Sequence, residues 1–429
     1  LGGRLYTMAH EEAPPVEVGG AEVAADYRRT RALVSALGLP LEPMETPAGM
    51  ANHVRGQLVR SVDWEGSAAN LTVGQERALQ PAFLEFGLVS QHGVLPDPGA
   101  WLRPEFAHLD VPAARWLRER GASEEAIRLI NLSSNVQDVA SSSALNSIRD
   151  VTRYKELIGR SDRARHLFGQ GEGSGHIIGG SSRLPEGMAA ELTEPVQTGC
   201  AVVAMRQISD GRQPHSSVEL TCQDGRRFHA RHVVSAIPFF ALRRVELDPS
   251  PAGAFAEAVH DCVYSATTQV HLRVEGAYWE QDEVEPGMYT DSALQRVFGV
   301  VCRSGRVERL VVWLNGRGAE RFDLVPGPQR EGLVLSELAR LRPSTRGKLR
   351  VVQCHSWGSS PYIGGNRHVY NAGQVTRFGH AVKAPLGRIH FAGEHTRDVE
   401  VGMEAALASA ERVHREILGE GAGRTHAGS

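Results

Sequence analysis

Residues 388–418 read RIHFAGEHTRDVEVGMEAALASAERVHREIL, which combines an apolar strand pattern, a glycine-containing turn and a long helical pattern. The helix is predicted over 402–418, because its apolar residues recur at helical spacing along one side. The small residues Gly402 and Ala405, beside Ala406, let another group approach the helix N-terminus, where unpaired N–H groups and the helix dipole favour negative charge. A phosphate fits this position, and so does the electron-rich edge of a reduced flavin. A cofactor site at a strand–helix junction and an ordinary packing turn are both compatible with these residues.

Composition limits the class of protein without identifying it. The chain has 429 residues and a mass of 46.6 kDa, which suits about two to three domains of ordinary size. Its formal net charge of −3 creates no general attraction to nucleic acid or to an anionic membrane. The longest apolar run, VVSAIPFFAL, is interrupted by a proline and falls short of the roughly 18 residues of a membrane span. We therefore expect a soluble protein with neither a nucleic-acid nor a membrane partner.

The cysteine and histidine patterns indicate neither a disulfide framework nor a metal site. The cysteines are odd in number, far apart and without a CxxC pair: Cys200, Cys222, Cys262, Cys302 and Cys354. Buried free thiols and a reducing compartment, such as the cytoplasm, are the expectation. The histidines form no HExxH motif and no Cys/His cluster, so no metal is predicted.

Helical and strand patterns alternate along the chain. Residues 44–168 are predicted to be helical and loop-rich, with Gly121 separating two helices and Ser123 capping the second. Short β-branched runs follow from residue 196, and Asp224-Gly225 predicts a hairpin turn. Strand patterns (ATTQVHLRV, LQRVFGVV, LVVWLN) and the helical GLVLSELARL then mix between 247 and 354. Such alternation indicates α/β or α+β layers rather than a helix bundle.

Seven motifs occur in a fixed order along nearly the whole chain. They are LGGRLYT, VEVGGAEVAADYRRTRALVSALGL, HIIGGSSRLPEGMAAEL, VQTGCAVVAMRQI, VVSAIPFFAL, Trp357 nine residues before Asn366, and FAGEHT followed by GMEAALASAERVHREIL. This order resembles the flavin-containing amine oxidases, the monoamine oxidase family. The resemblance implies an α/β (α+β) fold, in which a discontinuous FAD-binding domain of the dinucleotide type joins a substrate-binding domain with a mixed sheet under helices.

The same resemblance implies domain boundaries and cofactor contacts. The FAD-binding domain would comprise 1–43, 169–246 and 358–429, and the substrate-binding domain 44–168 and 247–357. The residues implied to bind FAD are Gly2, Gly3, Arg4, Gly19, Gly20, Ala21, Val202, Trp357, Gly393, Glu394, Gly402, Met403 and Ala406. A carboxylate such as Glu394 suits sugar hydroxyls better than phosphate. Asn366 follows the glycine pair where the monoamine oxidases have a flavin-linking cysteine, so FAD is expected to bind non-covalently.

The family's dinucleotide unit opens with a GxGxxG loop at a helix N-terminus, which cradles the pyrophosphate. LGGRLYT corresponds to the turn after that unit's second strand, and no such fingerprint occurs in this chain. We expect the sequence to begin about 30 to 40 residues into the unit, and to be incomplete.

Three positions depart from the family's pattern. Arg367 and Gly402 stand where two aromatic rings frame the substrate, and Gln269 stands where a lysine holds a water near flavin N5. An arginine facing the flavin would favour a carboxylate-bearing substrate, because its fork pairs bidentately with that group. A solvent-facing arginine and a backbone-satisfied strand glutamine are the alternatives. Gln269 and Arg367 are therefore the candidate catalytic residues.

The resemblance implies an oxidoreductase that transfers hydride from the C–N carbon of an amine or amino acid to FAD, with dioxygen reoxidising the flavin to give H2O2. Its partners would be that small molecule and dioxygen, and a homodimer is the assembly that the family favours. A carbon–carbon desaturase or porphyrinogen-type oxidase, with a long apolar tunnel, is one alternative. A non-catalytic flavin-binding scaffold is the other.

Overall fold

Residues 1–9, 15–44, 46–93, 95–159, 174–209, 217–302 and 304–419 are described in the structure, which is a computed structural model. The α-helices of these ranges are α1 (Arg28–Ala36), α2 (Leu84–Gln91), α3 (Ala113–Arg118), α4 (Glu124–Ser133), α5 (Ala144–Gly159), α6 (Arg183–Ala190), α7 (Phe239–Leu242), α8 (Gly253–Asp261), α9 (Trp279–Asp282), α10 (Gly316–Asp323), α11 (Gly327–Leu341), α12 (Gln374–Phe378) and α13 (Gly402–Leu418).

The strands of the same ranges are β1 (Thr7–Met8), β2 (Val16–Glu17), β3 (Leu41–Pro43), β4 (Thr46–Pro47), β5 (Met50–Val54), β6 (Gln57–Val59), β7 (Gly175–Ile177), β8 (Val202–Ile208), β9 (Ser217–Cys222), β10 (Arg227–Ala230), β11 (Val233–Ser235), β12 (Glu246–Asp248), β13 (Val263–Ser265), β14 (Thr267–Val274), β15 (Gly287–Thr290), β16 (Arg296–Val301), β17 (Val307–Asn315), β18 (Leu349–Ser356), β19 (Arg367–Val369) and β20 (Ile389–Phe391).

An eight-stranded mixed sheet has the order β18-β14-β17-β16-β15-β5-β6, with β4 paired to β16. Neighbouring strands run antiparallel except for β15 and β5, which are parallel. One face of the sheet is apolar and packs under α10 and α11, where its side chains form a buried cluster with those of the two helices: Val270, Met288, Val297, Val312, Phe322, Val334 and Leu338. Since successive strand side chains alternate between faces, the intervening residues point to the opposite side.

A parallel pair of strands leads into the C-terminal helix. β11 and β20 pair with Val233 opposite Ile389 and Ser235 opposite Phe391. The chain leaves β20 through Gly393, whose φ of +119° favours glycine, and a 3₁₀ turn over Glu394–Thr396. α13 begins at Gly402 and ends at Leu418, so the predicted helix is confirmed. A four-stranded sheet in the order β10-β9-β8-β12 adjoins this pair, since Gln207 on β8 is hydrogen-bonded to Leu386 and Arg388 just before β20. It contains the predicted hairpin at Asp224-Gly225.

Helices α2 to α5 form a region that packs against the polar side of the large sheet. The prediction of two helices on either side of Gly121 is confirmed by α3 and α4. Ser123 Oγ accepts a hydrogen bond from the backbone N–H of Ala126, so it caps α4 as predicted. Tyr289 on β15 donates its hydroxyl to the carbonyl of Leu129 on α4, at 2.7 Å, which joins the region to the sheet.

Two local expectations are wrong. Residues 44–168 are not only helical and loop-rich, because β4, β5 and β6 join the large sheet. These strands are short, and β5 pairs with β15 more than two hundred residues later, so no local alternation marks them. All five cysteines are free, but Cys200, Cys302 and Cys354 are only partly buried.

Other expectations fall partly or wholly outside these observations. The tail GEGAGRTHAGS, expected to be disordered, lies almost entirely in residues 420–429, outside the described residues. The domain boundaries stay a prediction. Within the described ranges, none of the helices combines the length and apolar character that a membrane-spanning helix needs.

Candidate active site

Arg4 connects the first turn of the chain to two distant segments. Its Nη1 donates to Glu394 Oε2 at 3.1 Å and to the carbonyl of Asn366 at 2.8 Å. Its own carbonyl accepts from the backbone N–H of Gly20 at 3.0 Å. A Cβ on Gly19 would lie 2.1 Å from that carbonyl, so this close approach requires glycine. Four segments predicted from the sequence to be near FAD thus meet at Arg4, two of them at its guanidinium and one at its backbone carbonyl.

Glu394 is buried and shared between two arginines. Besides Arg4, Arg397 donates from Nη1 to Glu394 Oε1 at 2.6 Å. Burial alone would raise the pKa of Glu394, but the positive charges of Arg397 and Arg4 outweigh it and hold the pKa well below its ordinary value. The carboxylate is therefore ionised, and each of its oxygens accepts one hydrogen bond from an arginine. Its predicted contact with a sugar hydroxyl stays a prediction.

A second carboxylate extends the cluster. Asp150 on α5 pairs with Arg149 Nη2 at 2.5 Å and with Arg367 Nη2 at 2.9 Å. Burial would raise its pKa, and the charges of Arg149 and Arg367 lower it well below the ordinary value. Arg367 is thus on strand β19 with its charge already paired, instead of pointing freely to solvent. Its proposed contact with substrate stays a prediction.

The charge balance of this cluster fits an anionic dinucleotide such as FAD. Four arginines, namely Arg4, Arg149, Arg367 and Arg397, surround two carboxylates, Asp150 and Glu394. Buried Nη1 of Arg149 and Nε of Arg397 have no hydrogen-bond partner among the described residues. A pyrophosphate would supply the missing negative charge and acceptors, because guanidinium groups pair well with phosphate oxygens.

The N-terminus of α13 is open to an approaching group. Gly402 has a φ of +56°, and a Cβ there would have only the hydroxyl of Tyr27 nearby, at 3.4 Å. Met403 is buried in a small cluster with Val23 and Val34, which fixes the first turn of the helix against α1. Ala406 lies one turn further along. The unpaired N–H groups at this end suit the electron-rich edge of a reduced flavin.

Gln269 and Trp357 meet at the strand that precedes the glycine pair. The carbonyl of Val18 accepts from Gln269 Nε2 at 3.2 Å and from Trp357 Nε1 at 2.6 Å. Gln269 Oε1 lies 2.9 Å from Nε2 of His271. Burial lowers the pKa of His271 to about 4, so this group is polar but uncharged at neutral pH. The structure therefore supplies no cation where the family has a lysine.

The other residues predicted to bind FAD lie at several positions in the fold. Gly2 and Gly3 form the turn before Arg4, both in the left-handed region. Ala21 follows Gly20 directly, and the backbone N–H of Gly393 donates to Ser409 Oγ at 2.7 Å. Val202 begins β8 of the four-stranded sheet, and its contact with FAD stays a prediction. Sequence reasoning missed Arg149, Asp150 and Arg397, because pairs such as Arg367–Asp150 are 217 residues apart and leave no local signal.

Comparison with known proteins places this geometry in context. A family model described as flavin containing amine oxidoreductase matches residues 1–418. A flavin-containing amine oxidase from Danio rerio is 21% identical over 437 residues, covering 97% of this chain and 79% of the relative. A flavin-dependent L-tryptophan oxidase from Lentzea aerocolonigenes is 28% identical over 258 residues, covering 56% of this chain and 52% of the relative.

A solved structure supports the same architecture. The cyclohexylamine oxidase from Brevibacterium oxydans matches with a TM-score of 0.70 at 21% identity, covering 96% of this chain and 91% of that chain. The predicted fold class, α/β (α+β) with a dinucleotide-type and a substrate domain, is confirmed by this likeness.

Proposed function

Because the chain belongs to the flavin-containing amine oxidoreductase family, we propose that it oxidises the C–N bond of an amine or amino acid with the help of non-covalently bound FAD. Bound FAD would supply the hydride acceptor and the route of the electrons to dioxygen, which would yield H2O2. The observation that carries the proposal is the convergence of Arg4, Gly20, Gln269, Trp357 and Glu394 from distant parts of the chain onto one place.

The residues of this site have distinct roles in the proposal. Arg4, Arg367 and Arg397 would hold the pyrophosphate side of FAD, with Asp150 and Glu394 keeping their guanidinium groups in position. Gln269 retains one amide N–H and one lone pair beyond its bonds to Val18 and His271, so it can orient a water or the substrate amine. Because Gln269 and neutral His271 carry no positive charge, the amine is not repelled as it approaches.

The sheet face beside Gln269 favours the polar substrate of an amine or amino-acid oxidase over the apolar substrate of a desaturase. The sheet face away from α10 and α11 carries Asn52, Gln269, His271 and Arg296. A carbon–carbon desaturase needs a long apolar tunnel for an apolar substrate, and the guanidinium of Arg296, whose Nε and Nη2 have no partner among the described residues, would remain unsatisfied along it.

Anaerobic titration tests the proposal. The full-length protein, loaded with FAD, should lose the visible absorption band of oxidised flavin when an amine or amino acid is added, and should form H2O2 when air is readmitted. A flavin that binds but is reduced by neither amines nor amino acids would support the scaffold alternative instead. Light scattering of the same sample would test the homodimer, which stays a prediction.

A further inference from the structure

Arg296 is a buried arginine without a partner for its charge. Its side chain is on β16, and the residue is only 9% exposed. Its Nε and Nη2 atoms are buried and make no hydrogen bond to any described residue. Among the described residues, its guanidinium carbon lies 5.6 Å from the ring centroid of Phe298. A buried donor without an acceptor is destabilising, and more so when it is charged.

The other buried arginines show how unusual this is. Arg149, Arg342 and Arg397 each pair with a carboxylate, at N–O distances of 2.5, 2.6 and 2.6 Å respectively. Burial lowers the pKa of Arg296 to about 10, which still leaves the guanidinium charged at neutral pH. The buried guanidinium of Arg296 is therefore positively charged and forms no ion pair with any described side chain.

The acid whose charge acts on Arg296 does not serve as its partner. Glu85 on α2 acts on Arg296 only through the electric field. Its Oε1 accepts from the hydroxyls of Ser147 and Ser134, at 2.5 and 3.3 Å. Burial raises the pKa of Glu85, so its negative charge is disfavoured rather than held in place. Glu85 is thus satisfied by hydroxyl groups, and Arg296 keeps unused donors.

Strand register places Arg296 in line with the candidate active site. One row across the sheet contains, in spatial order, His355, Gln269, Trp313, Arg296, Tyr289 and Asn52. Paired residues of neighbouring strands project on the same side, so Arg296 and Gln269 share a face and are separated by about two strand spacings, or roughly 10 Å between Cα atoms. Gln269 contacts Val18 beside the glycine pair. The row thus runs from the cofactor segments to the unpaired guanidinium, and contains no carboxylate.

We propose that Arg296 binds the carboxylate of the substrate, so that the substrate is an amino acid and not a simple amine. The inference rests on the proposed C–N oxidation and specifies its substrate class. A single carboxylate matches one guanidinium fork in charge and geometry. The amine end of the substrate would then lie toward Gln269, across Trp313 in the same row. Arg296 then binds the substrate carboxylate, whereas the charge of Arg367 is already paired with Asp150.

Matched substrates provide the first test. The standard L-amino acids and short ω-amino acids are compared with the amines formed by their decarboxylation. The preferred amino acid should have a kcat/KM at least about 100-fold above that of its amine, as expected for a buried charge pair. In Arg296→Gln this kcat/KM should fall by about 100-fold or more, mainly through KM, with the amine changed less than about twofold. Equal losses for both substrates, or no loss, would overturn the assignment.

Binding without turnover separates this inference from the proposed function. The deaminated acids of the panel are titrated against the protein while its thermal unfolding midpoint is measured, with the matching carboxamides as neutral ligands. At least one acid should raise the midpoint more than its amide in the wild type, and this difference should vanish in Arg296→Gln. If no acid exceeds its amide, carboxylate binding is wrong even when amines reduce the flavin. If acids bind but neither substrate class reduces the flavin, the proposed oxidation is wrong.

Two further variants act as controls. Arg273→Gln removes an exposed arginine of β14 in the same sheet, and should retain both the acid-dependent shift and the preference for amino acids. Arg296→Met removes the buried charge while keeping the apolar stem, and should be at least as stable as the wild type, because no internal ion pair is lost. A strongly destabilised Arg296→Met would show that the guanidinium is structural, and would overturn the inference.

Discussion

Two neighbouring buried residues, Glu394 and His395, differ in protonation: the carboxylate is charged and the imidazole is neutral. Glu394 is held ionised by Arg4 and Arg397. His395 has no hydrogen-bond partner for either ring nitrogen among the described residues, and its ring packs edge-on against Phe239 at 4.6 Å between centroids. Burial lowers the pKa of His395 to about 3, with the positive charge of Arg4 adding to the effect. The imidazole is therefore neutral in the folded protein and acts as a packing group.

Replacing His395 should change how stability depends on pH. In the unfolded chain the imidazole binds a proton below about pH 6.5, whereas the folded protein does so only near pH 3. This residue therefore destabilises the wild type as the pH falls from about 6.5 toward 3, by up to about 1.4 kcal/mol per pH unit. His395→Asn should lose stability less steeply than the wild type in denaturant titrations between those limits.

The control for this prediction lies on the same stretch of chain. His414 is exposed on α13, and His414→Asn should keep the wild-type pH dependence. Identical slopes for wild type and His395→Asn would show that the imidazole is protonated in the folded state, contrary to its burial.

At the scale of elements, α4 shows how one side chain can fix a helix start. Ser123 Oγ accepts from Ala126 N–H at 3.1 Å and donates to Glu76 Oε2 at 2.6 Å. The backbone N–H of Ser123 donates to Glu76 Oε1 at 2.8 Å. Glu76 is itself buried. The cap therefore also ties α4 to the preceding 3₁₀ turn at Gly74–Ala78.

Ser123→Ala should destabilise the protein by about 1–2 kcal/mol, because the cap is lost and Glu76 loses a donor. Ser336→Ala is the matched control, since Ser336 is exposed in the middle of α11 and bonds only to the carbonyl of Leu333. It should change the unfolding free energy by less than about 0.5 kcal/mol. The measurement is a denaturant midpoint at constant slope. Equal effects of both substitutions would contradict the role assigned to the cap.

At the scale of the molecule, the arginine cluster joins segments that are distant in sequence. Asp150 on α5 reaches Arg367 on β19, and Arg149 beside it is fully buried. Trp101 lies under Arg149 at 4.6 Å and donates its indole N–H to the carbonyl of Asp398 at 2.7 Å. The helical region and the segments proposed to hold FAD are thus connected through charged and polar contacts, not only through apolar packing.

Asp150→Asn should destabilise the whole protein by about 3–5 kcal/mol, because it leaves buried positive charge without its acid. The thermal unfolding midpoint should fall clearly, and the bound flavin should be released at lower temperature. Asp63→Asn is the control, since it breaks only the exposed pair with Arg60 and should cost no more than about 1 kcal/mol. A midpoint for Asp150→Asn equal to that of the control would refute the structural role of the pair.

The sequence by itself determined the elements whose signals are local. The helix over 402–418, the cap at Ser123 and the hairpin at Asp224-Gly225 follow from residue periodicity and turn chemistry. The ordered motifs also predicted the family, the fold class and the cofactor, because each motif is a short run of neighbouring residues. These features require no knowledge of what packs against them.

Only the tertiary structure decided which charges find partners. Arg4 and Glu394 meet across 390 residues, and Arg367 meets Asp150 across 217. The sequence predicted Arg367 as the arginine available to a substrate, but its charge is paired with Asp150. Nε and Nη2 of Arg296 instead have no acceptor among the described residues. The energy of a buried charge depends on the few groups within about 4–6 Å of it, and the folding of distant segments, not their order in the chain, places those groups there.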